Sequence, residues 1–179
     1  MKSKRMGVLG LTLSLVLGLG ALGVGCNARN NNPSVKDNVK KSLEQADLKD
    51  VSVTEDRDKN LITLGGTVHS TEAKQRAEDV AKSAAAGRVV ANEVSVRPVN
   101  QEGEARQIAS NVDSGIESNY KAALIANGLD KQHIRFDSKN AVLTLKGRVK
   151  NAELKQQAQQ LAQSVPNVQQ VINELQVNR

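Results

Sequence analysis

The sequence predicts an α+β fold built from two tandem copies of one unit. Each copy is ordered α-β-β-α-β, with two helices packed on a three-stranded sheet. Three observations carry this. Shifted by 81 residues, positions 38–96 lie over 119–177 without a gap, and 19 of the 59 pairs are identical. Within each copy the apolar spacing changes from helical to alternating, back to helical, and to alternating again. Gly, Pro, Asn and Asp mark those changes at matching places in both copies. An internal repeat fixes the architecture before any single element is assigned. It also acts as a filter, because a feature present in both copies belongs first to the scaffold.

The first helix of copy one is predicted to start at Ser34, which follows Pro33 and has Asp37 in the capping-box slot. Val35, Val39 and Leu43 form its apolar stripe. Copy two has Ile116, Tyr120 and Leu124 there and extends the row back through Val112 and Ile108, which predicts a longer helix ended by Gly128. Val51-Ser52-Val53 and His133-Ile134-Arg135-Phe136 form the first strand, and Asp56 to Asn60 and Asp137 to Asn140 the hairpin turns.

The second strand alternates most clearly. Ile62, Leu64, Gly66 and Val68 share one face, matched by Leu143, Leu145, Gly147 and Val149. Gly66 and Gly147 are expected to be structural, sitting on the buried face where a helix backbone comes close. Ser70 and Asn151 are N-caps of the second helix. Its inner face is Ala73, Ala77, Val80, Ala81 and Ala84, matched by Leu154, Ala158, Leu161, Ala162 and Val165, and Gly87 and Pro166 stop it. Val90, Asn92, Val94 and Val96, matched by Val171, Asn173, Leu175 and Val177, close each unit. The two asparagines are expected to satisfy backbone groups.

The domain division that follows is 1–25 signal, 26–33 tether, 34–98 first domain, 99–105 linker and 106–179 second domain. A unit of about 60 residues buries only about 60% of its unfolded surface. Packing of the copies on each other, or on a membrane, is therefore expected to contribute stability.

Lys2, Lys4 and Arg5 precede an apolar run from Met6 to Val24, the pattern of an export signal. Leu22-Gly23-Val24-Gly25-Cys26 resembles a bacterial lipoprotein signal, although Gly23 stands where a branched aliphatic is usual. That resemblance implies an acylated Cys26. Asn27 after it, rather than Asp, implies sorting to the outer membrane. Two alternatives stay open. An ordinary cleavage near Ala21-Leu22-Gly23 would release a soluble periplasmic protein, and about 20 apolar residues are enough for an uncleaved span.

Taken in order and twice in register, the motifs resemble the BON domain. They are Val39-x-x-x-Leu43, Ile62-x-Leu64-x-Gly66-x-Val68, the Ala-rich helix and Val90-x-Asn92-x-Val94-x-Val96. Behind a lipoprotein signal, two such units look like the DolP-type outer-membrane lipoproteins. Behind an ordinary signal they look like the OsmY-type periplasmic protein. The resemblance implies phospholipid binding, with the second domain as its seat.

Composition narrows the function. Aromatic residues are 1% of the chain, with Tyr120 and Phe136 alone, so base stacking on single-stranded nucleic acid has no platform. His69 aligns with Lys150 and His133 with Ser52, and neither has a nucleophile or acid at a telling spacing, so no catalytic residue is assigned. Glu55-Asp56-x-Asp58 lacks the glycine and distal Glu of a calcium loop and reads as a solvated turn. With one cysteine, neither an intrachain disulfide nor a Cys-based metal cluster is available. No cofactor or metal is expected.

The net charge of +6 is uneven. Residues 34–98 hold 11 basic and 11 acidic side chains, whereas residues 131–155 hold seven basic against two acidic. Lys146, Arg148 and Lys150 share a strand face where copy one has Gly65, Thr67 and His69. They are the candidate membrane-binding residues. The first helix of copy two, with Tyr120 and Lys121, is a second candidate surface. The expected function is a non-enzymatic envelope-maintenance lipoprotein whose partner is an anionic phospholipid surface, alongside other envelope proteins. The alternative is a soluble periplasmic osmotic-stress protein or chaperone that binds exposed polypeptide.

Overall fold

A computed structural model describes residues 34–178. The signal and Cys26 lie outside the described residues. The first repeat runs α1 (Lys36–Gln45), β1 (Val51–Asp56), β2 (Leu61–Val68), α2 (Thr71–Ala84), β3 (Val89–Asn92) and β4 (Ser95–Val96). The second runs α3 (Glu102–Ala126), β5 (His133–Lys139), β6 (Val142–Val149), α4 (Ala152–Gln163) and β7 (Gln170–Val177).

The two sheets share one plan. β2 is central, antiparallel to β1 and parallel to β3, and β4 continues on the β3 side. β6 is likewise central between antiparallel β5 and parallel β7. The parallel pairing follows from chemistry: a strand rejoining its sheet in parallel needs a long crossover, and the α2 and α4 segments supply it. Each helical pair covers one face. Val39, Leu43, Ala77 and Ala81 meet Ile62, Leu64 and Val94 in the first core. Ile116, Tyr120, Ala158 and Ala162 meet Leu143, Leu145 and Leu175 in the second.

Polar residues tie helix to strand identically in both repeats. Asn92 donates to the Lys74 carbonyl and to Glu78, and accepts from the Val94 amide. Asn173 does the same with Lys155, Gln159 and Leu175, each 81 positions on. These are the backbone-satisfying asparagines expected from the pattern. Ser70 and Asn151 accept from the Ala73 and Leu154 amides, so both caps form.

Four details differ from the expectation. Ser34 does not cap α1. Val35 occupies that position with no side-chain bond, and the Ser34 hydroxyl donates to Glu55 instead. The closing strand of the first repeat is broken between Asn92 and Ser95, where Asn140 of the second repeat takes the Glu93 carbonyl. α3 begins at Glu102, so the stretch read as a linker through residue 105 ends in helix.

The fourth concerns the glycines. Gly66 is exposed and Gly147 half-buried. Both have positive φ, +98° and +119°. A Cβ would strike the Asp50 carbonyl at Gly66 and the His133 carbonyl at Gly147. The constraint comes from the neighbouring strand and the left-handed backbone, not from a helix.

The repeats pack through the sheet faces away from their helices, at one end only. Leu61, Ala91, Val142 and Ile172 form a buried cluster of their own. Leu61 matches Val142, and Ala91 matches Ile172, under the same 81-residue shift. The contact is thus pseudo-symmetric, like the isologous interface of a dimer. Lys59 reaches Glu174, and at the matching place Asn140 donates to the Glu93 carbonyl while Lys139 pairs with the Glu93 carboxylate. The Gln170 carboxamide bridges the open edge of β3, donating to the Val90 carbonyl and accepting from the Asn92 amide.

Candidate anion-binding face

Strand alternation sends Ile134, Phe136, Leu143 and Leu145 toward the helices and their neighbours toward the opposite face of the second sheet. On that opposite face His133, Arg148 and Gln176 form one row across the three strands. Arg135, Lys146 and Glu174 form the next. Two further rows follow, and there Ile172 and Val142 disappear under the first repeat. The first repeat therefore covers one end of the face and leaves the basic end open. Its hairpin turn stands beside the open part and brings Lys59 to it.

The result is a groove of about 800 Å³ lined by His133, Arg135, Lys146, Arg148, Glu174 and Lys59, among others. His133, Arg135, Lys146 and Arg148 are exposed. Among the described residues, Arg135, Lys146, Arg148 and Lys150 enter no ion pair. Their charge is left to act on whatever approaches the face, focused by the low-dielectric walls of a cleft. Lys59 differs. Its Nζ lies 2.8 Å from Glu174 and 3.3 Å from Asp56. The bond to Glu174, then that to Asp56, holds its pKa above the usual lysine value.

The sequence-predicted residues divide. Lys146 and Arg148 stand together in β6. Lys150 is exposed one residue past the end of that strand. Lys121 is exposed on α3, in the helical layer that covers the other face of the sheet. Tyr120 cannot serve a headgroup interface. It is fully buried, donates to the Ala158 carbonyl at 3.1 Å and meets Phe136 edge-on at 5.0 Å. Burial pushes its hydroxyl pKa well above the usual tyrosine value.

Arg135 and His133 belong to the basic face, and the alternation of β5 could have shown it. Lys59 had no sequence signal, because it comes from the other repeat. The remaining polar residues build structure. His69 meets the Arg97 carbonyl. Asp113 of α3 holds the β5–β6 turn, accepting from the Ser138 hydroxyl and the Asn140 and Ala141 amides. Glu55 is not in a solvated turn. It pairs with Arg88 with both side chains nearly buried, at 6% and 2% exposure. Among the described residues no group of three or more His, Cys, Asp or Glu is placed to hold a metal ion. None of the described helices is long and apolar enough to cross a membrane.

A family model described as BON domain matches residues 31–98 and 112–179. Osmotically-inducible protein Y of Escherichia coli (strain K12) is 26% identical over 134 residues, which are 74% of this chain. The chain spans 65% of the length of that relative. Among solved structures, the C-terminal domain of CdsD, the structural protein of the type III secretion system of Chlamydia trachomatis, aligns over 78% of this chain and 62% of its own. Its TM-score is 0.33 at 13% identity. A second CdsD structure covers 80% of this chain and 92% of its own, with a TM-score of 0.35 at 12% identity.

Proposed function

Because the chain belongs to the BON-domain family, with two copies in tandem, we propose that it is a non-enzymatic envelope protein whose second repeat binds anionic phospholipid. One observation carries the reading. Arg135, Lys146 and Arg148 stand exposed on one sheet face of the second repeat, in no ion pair among the described residues. At the matching positions the first repeat has Thr54, Gly65 and Thr67. Each Lys or Arg near an anionic membrane contributes about 1 kcal/mol, decaying within a Debye length.

The test uses the chain from residue 26 onward with Cys26→Ser, so that no acyl group assists. It should bind vesicles of phosphatidylglycerol in phosphatidylcholine and release them as salt rises, because exposed charges are screened. Changing Lys146, Arg148 and Lys150 together to Gln should weaken binding about tenfold or more, with the melting curve unchanged. Undiminished binding by the triple variant removes this face from the reading.

The anchoring half of the reading rests on Cys26 at the end of the apolar run. Acylated there, the protein sits at the inner face of the outer membrane. Cys26→Ser in cells should shift it from the membrane to the soluble fraction or leave an unprocessed precursor. Intact mass of the native protein reads this directly. A free cysteine, or a native N-terminus at Gly25 or Val24, contradicts anchoring.

A second reading has its own support. A groove of about 530 Å³ lies between the start of α3 and the end of the first repeat. Val96, Pro98, Ala105 and Val112 line it, with Ile108 56% exposed at its rim. An apolar groove of that size suits an exposed polypeptide segment, as a periplasmic stress protein or chaperone would bind. Vesicle binding that is absent in the parent chain, together with a soluble native protein, favours this reading.

A further inference from the structure

Glu174 is the anomaly in the basic groove. It stands in register beside Lys146 on the same face, in the row that Arg135 completes. A carboxylate there has Lys146 one strand spacing away and Arg135 two, and would ordinarily neutralise the nearer. It does not. Its Oε2 lies 2.8 Å from Lys59 Nζ, the pair reaches across the repeat boundary, and only 11% of the Glu174 side chain is exposed.

Building on the anionic-lipid reading, we propose that Lys59 of the first repeat keeps the second repeat's headgroup site open by holding Glu174 away from Lys146 and Arg135. Lys59 is a positioning residue in this account. Asp56 and Glu174 compensate its own charge, so its effect on a ligand passes through Glu174. The reciprocal place in the first repeat shows what such a row looks like without a site. Glu93 is held there by Lys139 and Asn140, in the break between β3 and β4, and the positions matching Lys146 and Arg135 are Gly65 and Thr54, so no cation is freed. Tandem packing thus gives the second repeat a function that its own sequence would suppress.

The geometry dictates a double-mutant cycle, since residues in contact couple and only a cycle isolates the coupling. The chain from residue 26 with Cys26→Ser is titrated with phosphatidylglycerol–phosphatidylcholine vesicles as parent, Lys59→Gln, Glu174→Gln and the double variant. Lys59→Gln should weaken binding about fivefold, as released Glu174 turns to Lys146. Glu174→Gln should tighten it by a similar factor. The double variant should bind like Glu174→Gln alone, because Lys59 then has nothing to hold.

Melting curves separate this from a structural role. If the ion pair only braces the two repeats, both single variants lower stability and binding together, and the proposal fails. It also fails if Lys59→Gln weakens binding equally in both backgrounds, which would make Lys59 a direct ligand, or changes nothing. Arg148→Gln is the control for the underlying reading. Loss of its effect removes both ideas, whereas a normal effect with an additive cycle removes this one alone. Soluble glycerol phosphate that competes at millimolar concentration would assign the row to the phosphate group; competition by chloride alone, or none, would overturn a headgroup site.

Discussion

Gly147→Val should destabilise the second repeat by about 2–6 kcal/mol. Left-handed backbone on a non-glycine residue costs about 1–3 kcal/mol, and forcing atoms into filled space typically adds about 1–3 kcal/mol. Both apply. The φ of Gly147 is +119°, and a Cβ there falls on the His133 carbonyl oxygen of the paired strand. A unit of about 60 residues has only about 3–9 kcal/mol in total, so the expected result is a repeat that is partly or wholly unfolded at 37 °C. Tyr120 makes this measurable, since it is the only tyrosine and lies in the second core. Its near-ultraviolet dichroism should melt early in Gly147→Val. Gly87→Ala provides the contrast, because φ there is +81° but nothing lies within 4 Å. It should show the backbone cost alone, about 1–2 kcal/mol. Equal effects of the two substitutions would mean that the clash with β5 plays no part.

The same glycines mark how far the sequence could be read. Their place in the second strand was legible, because both copies keep them in register. The reason was not. Nothing in an alternating strand distinguishes a glycine needed for φ from one needed for close packing. The asparagines were readable for the opposite reason. Asn92 and Asn173 interrupt an apolar face twice at the same place, and a polar group there must be satisfied.

The inter-repeat contact was invisible along the chain. Leu61 and Val142 fall on the face that alternation assigns to solvent, and only the second copy's arrival buries them. Lys59 is hidden in the same way. Tyr120 lies in the apolar stripe of its helix, and its burial overrides the amphipathic character that would suit a headgroup interface. Alternation and the shift by 81 together place Lys146 and Arg148 on one face of β6. Lys121 lies on α3, and packing separates it from them by a whole sheet.

Glu55→Gln should destabilise the first repeat by about 3 kcal/mol, the low end of what removing one partner of a buried ion pair does. Arg88 would be left charged, buried and facing a neutral amide, with its side chain 2% exposed. The Val35 amide and Ser34 hydroxyl, which fix the point where the chain enters α1, would lose their anionic acceptor. The pH dependence follows in sign. The Ser34 hydroxyl bond foremost, then the Val35 amide and the Arg88 charge, hold the Glu55 pKa below its ordinary 4.5. A depressed carboxylate pKa stabilises the fold above the unfolded-state value and loses that contribution as pH falls through the folded-state value. The first repeat should therefore keep its full Glu55 contribution at neutral pH and lose it below about pH 4. In Glu55→Gln that part of the acid transition should disappear, while the Tyr120 signal of the second repeat keeps its own acid response. Replacing both partners, as Glu55→Gln with Arg88→Met, should recover much of the loss, since the buried guanidinium that Glu55 neutralises is then removed as well. Far-ultraviolet melts from pH 3 to pH 7 on the three variants decide it. An unchanged midpoint in Glu55→Gln, or a double variant no more stable than the single, would show that the pair is solvated in solution and does not hold the entry to α1.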